Sequence, residues 1–265
     1  RDSFERDTAF RLLNWISYRY GFGTYLHRIE GYYSKATAQL AREELNKLIV
    51  HYRKIRNHVY VDTLISPSYT SAIAQAIQIP GIAGMENNMV IFEYDRLNPK
   101  NLPSIIDNFA LVSSGDFDIC ILGSTHKPIN YKNGIHVWID TYDAENANLM
   151  ILLSYIITGH PNWRRKRIRI FVICKPDKTE ETETKMAELL SSGRLPITRK
   201  NIEIIIQAPD VNSKSLITER SKNAGLTMLG IRKELLHRNK EKFFDGYENM
   251  GNILFVHSKE QKELE

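Results

Sequence analysis

Short runs made up mainly of β-branched and aliphatic residues recur along this chain, spaced so that a helix fits between one run and the next. Two of the clearest lie at positions 168–173 and 202–206. Runs of this kind are typical of strands that are covered on both faces, and helical connections between such strands imply parallel pairing. The sequence therefore predicts an α/β fold built from mainly parallel sheets with flanking helices.

Apolar periodicity predicts two sets of strands. The first set lies near 24–30, 58–66, 88–95 and 117–123, and the second near 136–142, 168–174, 202–208, 226–232 and 252–257. A polar segment at 126–134, which carries glycine and proline, breaks the pattern between the two sets. We therefore expect two pseudo-symmetric halves, residues 1–130 and 131–265.

The two halves begin differently. The second opens with a strand, whereas the first opens at 3–20 with a helical pattern that Ser3 could cap. We expect the matching first strand of the first half to lie before Arg1. Each half would then be a small sheet of five strands of the nucleotide-binding type, with right-handed crossovers.

Composition excludes several classes of protein. With 265 residues and 42% hydrophobic content, the chain can bury a substantial core. The net charge of +5 comes from lysine and arginine that are dispersed among acidic residues, so a nucleic-acid footprint is not indicated, whereas an anionic membrane surface stays open. The opening residues lack the apolar core of a secretory signal. The apolar run at 149–157 is too short to cross a bilayer and predicts a core helix.

The two cysteines, Cys120 and Cys174, lie within or at the end of predicted strands. This placement favours small buried thiols over a disulfide or a metal site, and a reducing cytosol as the compartment. The histidine pairs His51/His58 and His126/His136 lack the spacing of metal ligands, so no metal site is predicted. No Gly-x-Ser-x-Gly motif and no Cys–His pairing stands out, so no catalytic residue is predicted.

Glycines do not form a nucleotide loop in this sequence. Neither Gly-x-Gly-x-x-Gly nor Gly-x-x-x-x-Gly-Lys-Ser/Thr occurs, and the Gly21-Phe22-Gly23 segment precedes a strand instead of following one. The segment at 122–126 contains a single glycine, Gly123, and therefore lacks the repeated glycines of a phosphate-binding loop. The pair Gly81 and Gly84 also precedes its strand, which favours the end of a helix and a turn at positive φ over phosphate contact.

Several polar residues allow two interpretations. Asp140 and Asp143 could bind a ribose or magnesium, but N-capping of the next helix is the favoured interpretation. Ser213 and Ser215 are likewise interpreted as caps, with phosphorylation as the alternative. The acidic run at 180–185 opens a helix, where its charges complement the helix dipole.

The densest basic run is Trp163-Arg164-Arg165-Lys166-Arg167, followed by Arg169. Such a run could meet anionic lipid headgroups or an acidic surface of a transmembrane part. The favoured structural alternative is a set of solvated cations at the C-terminus of the preceding helix, where the dipole stabilises them.

Two long segments resemble the cytosolic C-terminal domain of cation-chloride cotransporters. At 76–95, a helix end leads through Gly81, Gly84 and an asparagine into an apolar strand, although Glu86 and Asn87 stand where that family usually has Lys-Pro. At 135–173, a strand with Val137-Trp138 precedes an apolar helix, a tryptophan and a basic-apolar strand, in the family's order. Weaker similarity at 40–55 extends the resemblance to roughly two-thirds of the chain.

This resemblance implies a fold like that of universal stress proteins and a non-enzymatic function without a cofactor. The family's example implies a compact, prokaryote-like regulatory and dimerisation domain on the cytoplasmic side of the cell membrane. Its partners would be a second copy and the transmembrane part of the same polypeptide, which cotransports chloride with sodium and/or potassium. The alternative is a stand-alone universal stress protein-like protein that binds ATP or AMP. The Gly-x-x-Gly loop of nucleotide-binding universal stress proteins is missing here.

Overall fold

The structure, a computed structural model, describes residues 7–53, 58–81, 85–140, 144–191, 197–208 and 211–260. Strands and helices alternate along these segments. The strands are β1 Gly23–Glu30, β2 Val59–Ser66, β3 Met89–Asp95, β4 Asp118–Ser124, β5 Ile135–Asp140, β6 Ile168–Cys174, β7 Ile202–Ile206, β8 Leu226–Gly230 and β9 Ile253–His257. The helices are α1 Asp7–Tyr20, α2 Lys35–Tyr52, α3 Tyr69–Ala76, α4 Leu102–Asp107, α5 Phe109–Ser114, α6 Ala144–Thr158, α7 Thr179–Ser191, α8 Ser213–Ser221 and α9 Lys233–Asn239. The nine strands predicted between residues 24 and 257 are all present in the described segments.

The strands form one large sheet and one small one. The large sheet has the order β3-β4-β9-β8-β5-β6-β7, and the small sheet pairs β1 with β2. All pairs are parallel except β4 with β9, which run antiparallel. The prediction of a mixed α/β fold with mainly parallel sheets is confirmed.

The antiparallel pair joins the two predicted sets of strands. Ile121 of β4 faces Phe255 of β9 at the middle of this pair, and both are fully buried. The large sheet is therefore continuous across the polar segment at 126–134. The sequence pattern did not predict this join, because it brings together strands that lie far apart along the chain.

Each face of the large sheet has its own core. One core gathers aromatic side chains such as Trp138, Phe171 and Phe255 against α4, α5 and the 3-10 turn at Lys240–Phe244. The other lies under α1 and α6 and includes Trp15 and Trp163. Helix α6 contains the apolar run at 149–157 and is part of this core, as the sequence predicts. Within the described segments, no helix is both long and apolar enough to cross a membrane.

Helix α1 contacts both sheets. Phe10 stacks on Tyr52 of α2 with ring centroids 3.6 Å apart, in a cluster that also covers the small sheet. Leu12 and Trp15, in contrast, pack into the core of the large sheet. The helix thus links the small sheet to the main body of the protein.

Candidate functional site

The carboxyl ends of β5 and β8 form the place where a fold of this type would hold a ligand. In the order β7-β6-β5-β8-β9, the chain moves to one side of β5 first and later returns to its other side. Ligands of open α/β sheets bind at such switch points, beyond the carboxyl ends of the strands. Asp140 ends β5 there and is exposed, whereas Asp143 lies outside the described residues.

Asn146, in the first turn of α6, connects the ends of β8 and β9. Its Nδ2 donates a hydrogen bond to the Ile231 carbonyl at 3.0 Å, and its Oδ1 accepts one from the Ser258 amide at 2.7 Å. The side chain is almost completely buried. The Ile231 carbonyl and the Ser258 amide, two backbone groups at the ends of these strands, are therefore bound to the protein itself. Sequence reasoning missed Asn146, although an amide in the first turn of an otherwise apolar helix was a usable signal.

Gly123 lies inside strand β4, opposite Ile253 of β9, and not in a loop. A Cβ at this position would come within 2.9 Å of both the Arg96 Cδ and the Tyr94 Oη. The glycine therefore makes room for packed side chains.

Arg96 is the second functional-looking residue that sequence reasoning missed. Its half-buried guanidinium donates hydrogen bonds to the carbonyls of Tyr247, Met250 and Gly251, the bond to Met250 measuring 3.0 Å. Burial lowers the pKa of Arg96, and burial also raises the pKa of the neighbouring Tyr94. Arg96 follows β3 and binds the turn before β9, so it holds the two sets of strands together.

The predicted turn at Gly81 differs from the structure. Helix α3 ends at Ala76, with Ile77 as its C-cap, and Gly81 does not have a positive φ. Its missing Cβ instead leaves room for the Met85 carbonyl, which approaches the Gly81 backbone closely. Gly84 lies outside the described residues. The prediction of a positive-φ helix stop at Gly81 is wrong, because close backbone packing is what requires a glycine there.

The predicted caps at Ser213 and Ser215 are also wrong. Asn212 is the N-cap of α8, and its side chain accepts a hydrogen bond from the Lys214 amide at 2.8 Å. Ser213 is the first residue of the helix itself. An asparagine suits this position as well as a serine does, so the sequence could not separate the two neighbours by residue type alone.

The two cysteines are free thiols buried in β4 and β6, as predicted. Burial raises the pKa of Cys120, which keeps the thiol protonated and unreactive. Among the residues that the structure describes, no group of three or more His, Cys, Asp or Glu side chains could hold a metal ion.

The histidines occupy separate environments. The His51 Nε2 lies 3.4 Å from the Asp7 Oδ1, and the His126 Nε2 lies 3.7 Å from the Asp95 Oδ2. His136 is buried in β5, with its Nδ1 2.9 Å from the Ser221 Oγ. Burial, and to a lesser extent the charge of Arg169, lowers the pKa of His136 to about 4.

The basic run lies in a loop and not at a helix end. Helix α6 ends at Thr158 and has no basic residue in its last turn, so the predicted stabilisation by the helix dipole is wrong. Trp163 is fully buried and anchors the loop, whereas Arg164, Arg165 and Arg167 are exposed. We call these three exposed arginines the basic loop. In contrast, Glu180 and Glu181 do occupy the first turn of α7, as predicted.

Comparison with known proteins supports the resemblance found in the sequence. A family model described as Solute carrier family 12 matches residues 125–224. The crystal structure of the cytoplasmic domain of a prokaryotic cation chloride cotransporter matches 100% of this chain and 95% of its own, with 13% identity and a TM-score of 0.65. A universal stress protein from Archaeoglobus fulgidus matches 97% of this chain and 93% of its own, with 10% identity and a TM-score of 0.55.

The family match begins just after β4 and ends just before β8, so it contains β5, α6 and the basic loop. The structural matches extend over the whole chain and also confirm the universal stress protein-like fold. The chain thus resembles solute carrier family 12 in sequence over residues 125–224, and in fold it resembles the cytoplasmic domain of a cation chloride cotransporter, as its sequence predicts.

Proposed function

We propose that this chain is the cytosolic regulatory and dimerisation domain of a membrane transporter that cotransports chloride with sodium and/or potassium. The observation that carries this proposal is the match of residues 125–224 to the Solute carrier family 12 model. The fold shared with the cytoplasmic domain of a prokaryotic cotransporter supports it over the rest of the chain.

The domain acts without chemistry of its own in this proposal. Asn146 already binds the backbone groups at the ends of β8 and β9, and burial keeps the Cys120 thiol protonated. A regulatory domain can change transport only if it binds the transport states with different free energies. The domain would therefore contact the membrane part differently in the different transport states.

The test is chloride uptake by the full-length transporter with and without residues 1–265. We expect deletion to change the sodium- or potassium-dependent uptake rate, the dimer fraction, or the amount of transporter at the membrane. Uptake per transporter separates a change in rate from a change in abundance. An unchanged rate, dimer fraction and abundance would rule out the proposal.

We also propose that the basic loop contacts the anionic surface of the membrane. The side chains of Arg164, Arg165 and Arg167 are exposed, and no ion pair joins them to another residue in the described part of the chain. Each cation near such a surface contributes about 1 kcal/mol, so three together strengthen binding roughly 100-fold. Buried Trp163 fixes the loop at its base.

Vesicles rich in phosphatidylserine test this contact directly. Replacing the three arginines of the basic loop with serine should reduce vesicle binding by about two orders of magnitude. The matched control replaces the exposed, scattered Lys35, Arg42 and Lys100 with serine, which removes the same charge elsewhere. Equal losses in both variants would show that only net charge matters and would contradict a specific contact.

The rival function is nucleotide binding by a stand-alone protein, which the fold shared with a universal stress protein supports. Calorimetry with ATP and AMP distinguishes the two proposals. Micromolar binding that Asp140→Ala abolishes would favour the rival, since Asp140 is exposed at the end of β5. We expect no such binding, because Asn146 connects the strand ends that a nucleotide would approach.

A further inference from the structure

The loops that lead into four neighbouring strands of the large sheet emerge at one edge of it. Strands β8, β5, β6 and β7 run parallel, so their amino ends lie at the same edge. Ile135 of β5 pairs with Ile168 of β6 and with Leu226 of β8, so these three strands begin level with one another. The described residues that precede the four strands lie at 125–134, 159–167, 197–201 and 222–225.

Hydrogen bonds join each of these loops to the next. The Asn133 Nδ2 donates to the Asn223 carbonyl at 2.7 Å, which joins the loop before β5 to the loop before β8. The Ile135 amide donates to the Arg167 carbonyl at 3.0 Å, which joins the loops before β5 and β6. The Asn201 Nδ2 donates to a carbonyl at the start of β6 at 2.9 Å. The four loops therefore form one continuous surface.

This surface carries charge of a single sign. The four loops contain nine lysine and arginine residues and no aspartate or glutamate. All nine except Lys166 are exposed, and no ion pair between described residues involves any of them. The next loop, before β9, carries the exposed Asp245 and Glu248, which mark where the surface ends. We call the four loops together the basic edge, and the basic loop is one part of it.

The opposite edge of the large sheet has no such excess of cations. The antiparallel pairing of β4 with β9 places the amino ends of β3 and β4 beside the carboxyl ends of the other strands. The described segments at that edge contain four lysine or arginine residues and four aspartate or glutamate residues, at 85–88, 115–117, 175–178, 231–232 and 258–260. Cations that are dispersed along the sequence are thus gathered at one edge by the parallel pairing of the strands.

The shape and the residue types of the basic edge indicate its partner. Because the strands begin level, the loops present their cations in one plane, which suits a flat surface. The aromatic residues of these loops, Tyr131 and Trp163, pack on each other with ring centroids 4.9 Å apart, and Trp163 is fully buried. The loops therefore offer no exposed aromatic ring on which nucleic-acid bases could stack. The anionic headgroups of a bilayer fit this surface, and each nearby cation strengthens binding about fivefold.

We propose that the whole basic edge, and not the basic loop alone, lies on anionic lipid headgroups, so that the strands of the large sheet stand upright on the membrane. This inference rests on the membrane contact proposed for the basic loop and extends it to Lys132, Lys200 and Lys222. Contact through four loops fixes the orientation of the domain, whereas a single loop would leave it free to tilt. The carboxyl end of β5, with the exposed Asp140, then points away from the membrane.

Vesicle binding by a matched pair of double variants tests the extension beyond the basic loop. Lys132→Ser with Lys222→Ser removes two exposed cations from the loops before β5 and β8. Binding to mixed vesicles of phosphatidylserine and phosphatidylcholine should weaken about 30-fold. Lys175→Ser with Lys233→Ser removes two exposed lysines at the opposite edge. This control should weaken binding less than about threefold, because salt screens charges so far from the membrane.

Three outcomes would overturn the proposal. Equal losses in the two double variants would show that only net charge matters. Unchanged binding by Lys132→Ser with Lys222→Ser, alongside a loss when the basic loop is replaced with serine, would confine the contact to the basic loop. Tighter binding to a DNA duplex than to the vesicles would make a nucleic acid the partner. Each outcome is independent of the deletion experiment, which tests the function in transport separately.

Quenching by spin-labelled lipid tests the orientation. Asn223→Cys at the basic edge and Asn88→Cys at the opposite edge each provide one exposed thiol for a fluorophore, because Cys120 and Cys174 are buried. Lipids that carry the spin label on the headgroup should cause a loss of emission from the fluorophore at position 223 and none from that at position 88. Equal quenching at the two positions, or stronger quenching at position 88, would contradict a domain that stands on its basic edge.

Discussion

The pair β1-β2 and the group β5-β6-β8 both consist of parallel strands, but they differ in burial. Val137 at the centre of β5 is fully buried, whereas Tyr60 in β2 is 53% exposed and most of β1 is only half-buried. Strand β5 has a strand on each side, but β1 pairs with β2 alone in the described part of the chain. The difference teaches that complete burial accompanies neighbouring strands on both sides and a mainly apolar sequence, whereas the more polar β1 and β2 suit a less enclosed position.

The largest effect should come from the same substitution made in each region. Leu254→Ala in β9 removes a fully buried side chain and should reduce the free energy of unfolding by about 3 kcal/mol. Leu26→Ala in half-buried β1 should cost about 1 kcal/mol or less, because it leaves no closed cavity. Chemical denaturation of both variants measures the difference, and equal costs would contradict the contrast between the two regions.

The element pattern was predictable from the sequence because it depends on local periodicity. The β-branched residues at 202–206, for example, favour a strand by their own local preference, and a strand is found there. The join of β4 with β9 was not predictable, because the facing residues Ile121 and Phe255 differ from their neighbours in no local property. Pairing across such a separation is decided by the packing of the whole core.

The site residues Asn146 and Arg96 were not predicted for a different reason from the β4-β9 join. Asn146 and Arg96 form hydrogen bonds with backbone carbonyls of distant residues. Every residue has such a carbonyl, so the sequence does not show which ones are bound. The basic loop was recognised by its charges, but its position depends on where α6 ends. Sequence reasoning thus identified residues by their own chemistry, such as the charges of the basic loop, and missed residues whose function depends on a distant backbone group.

A second comparison concerns the arginine between the two sets of strands. Arg96→Ala should cost about 3 kcal/mol of unfolding free energy, because it leaves the carbonyls of Tyr247, Met250 and Gly251 without their charged donor. Arg220→Ala removes only an exposed ion pair with Glu203 and should cost less than about 1 kcal/mol. Thermal unfolding checks both. A small loss for Arg96→Ala would mean that β4-β9 pairing alone holds the two sets together.

The third effect is a dependence of stability on pH that comes from β5. The pKa of His136 is about 4 in the folded protein, below its ordinary value of 6.5, so the unfolded chain binds more protons between these values. The contribution of neutral His136 to the free energy of unfolding is complete above pH 6.5. As the pH falls towards 4, the free energy of unfolding decreases by about 2–3 kcal/mol in total.

Denaturation measured from pH 7 to pH 4 should therefore give a steeper loss of stability for the natural chain than for His136→Gln. His58→Gln changes an exposed histidine before β2 and serves as the control, with the slope of the natural chain retained. If His136→Gln lost stability with falling pH as steeply as the natural chain and His58→Gln do, His136 would not be the group that titrates. The contrast between the buried β5 and the exposed edge of the small sheet would then lose its electrostatic support.

The smallest effect concerns the helix caps. Ser34 caps α2, which packs on the small sheet, through a hydrogen bond from the Thr37 amide at 3.1 Å. Ser34→Ala should cost about 1 kcal/mol, and Ser34→Asp should restore most of it. Ser213→Ala should be nearly neutral, because Asn212 caps α8. If Ser34→Ala were as neutral as Ser213→Ala, the small sheet would be held by the contacts of α1 more than by its own helix, and Phe10 would be the residue to change next.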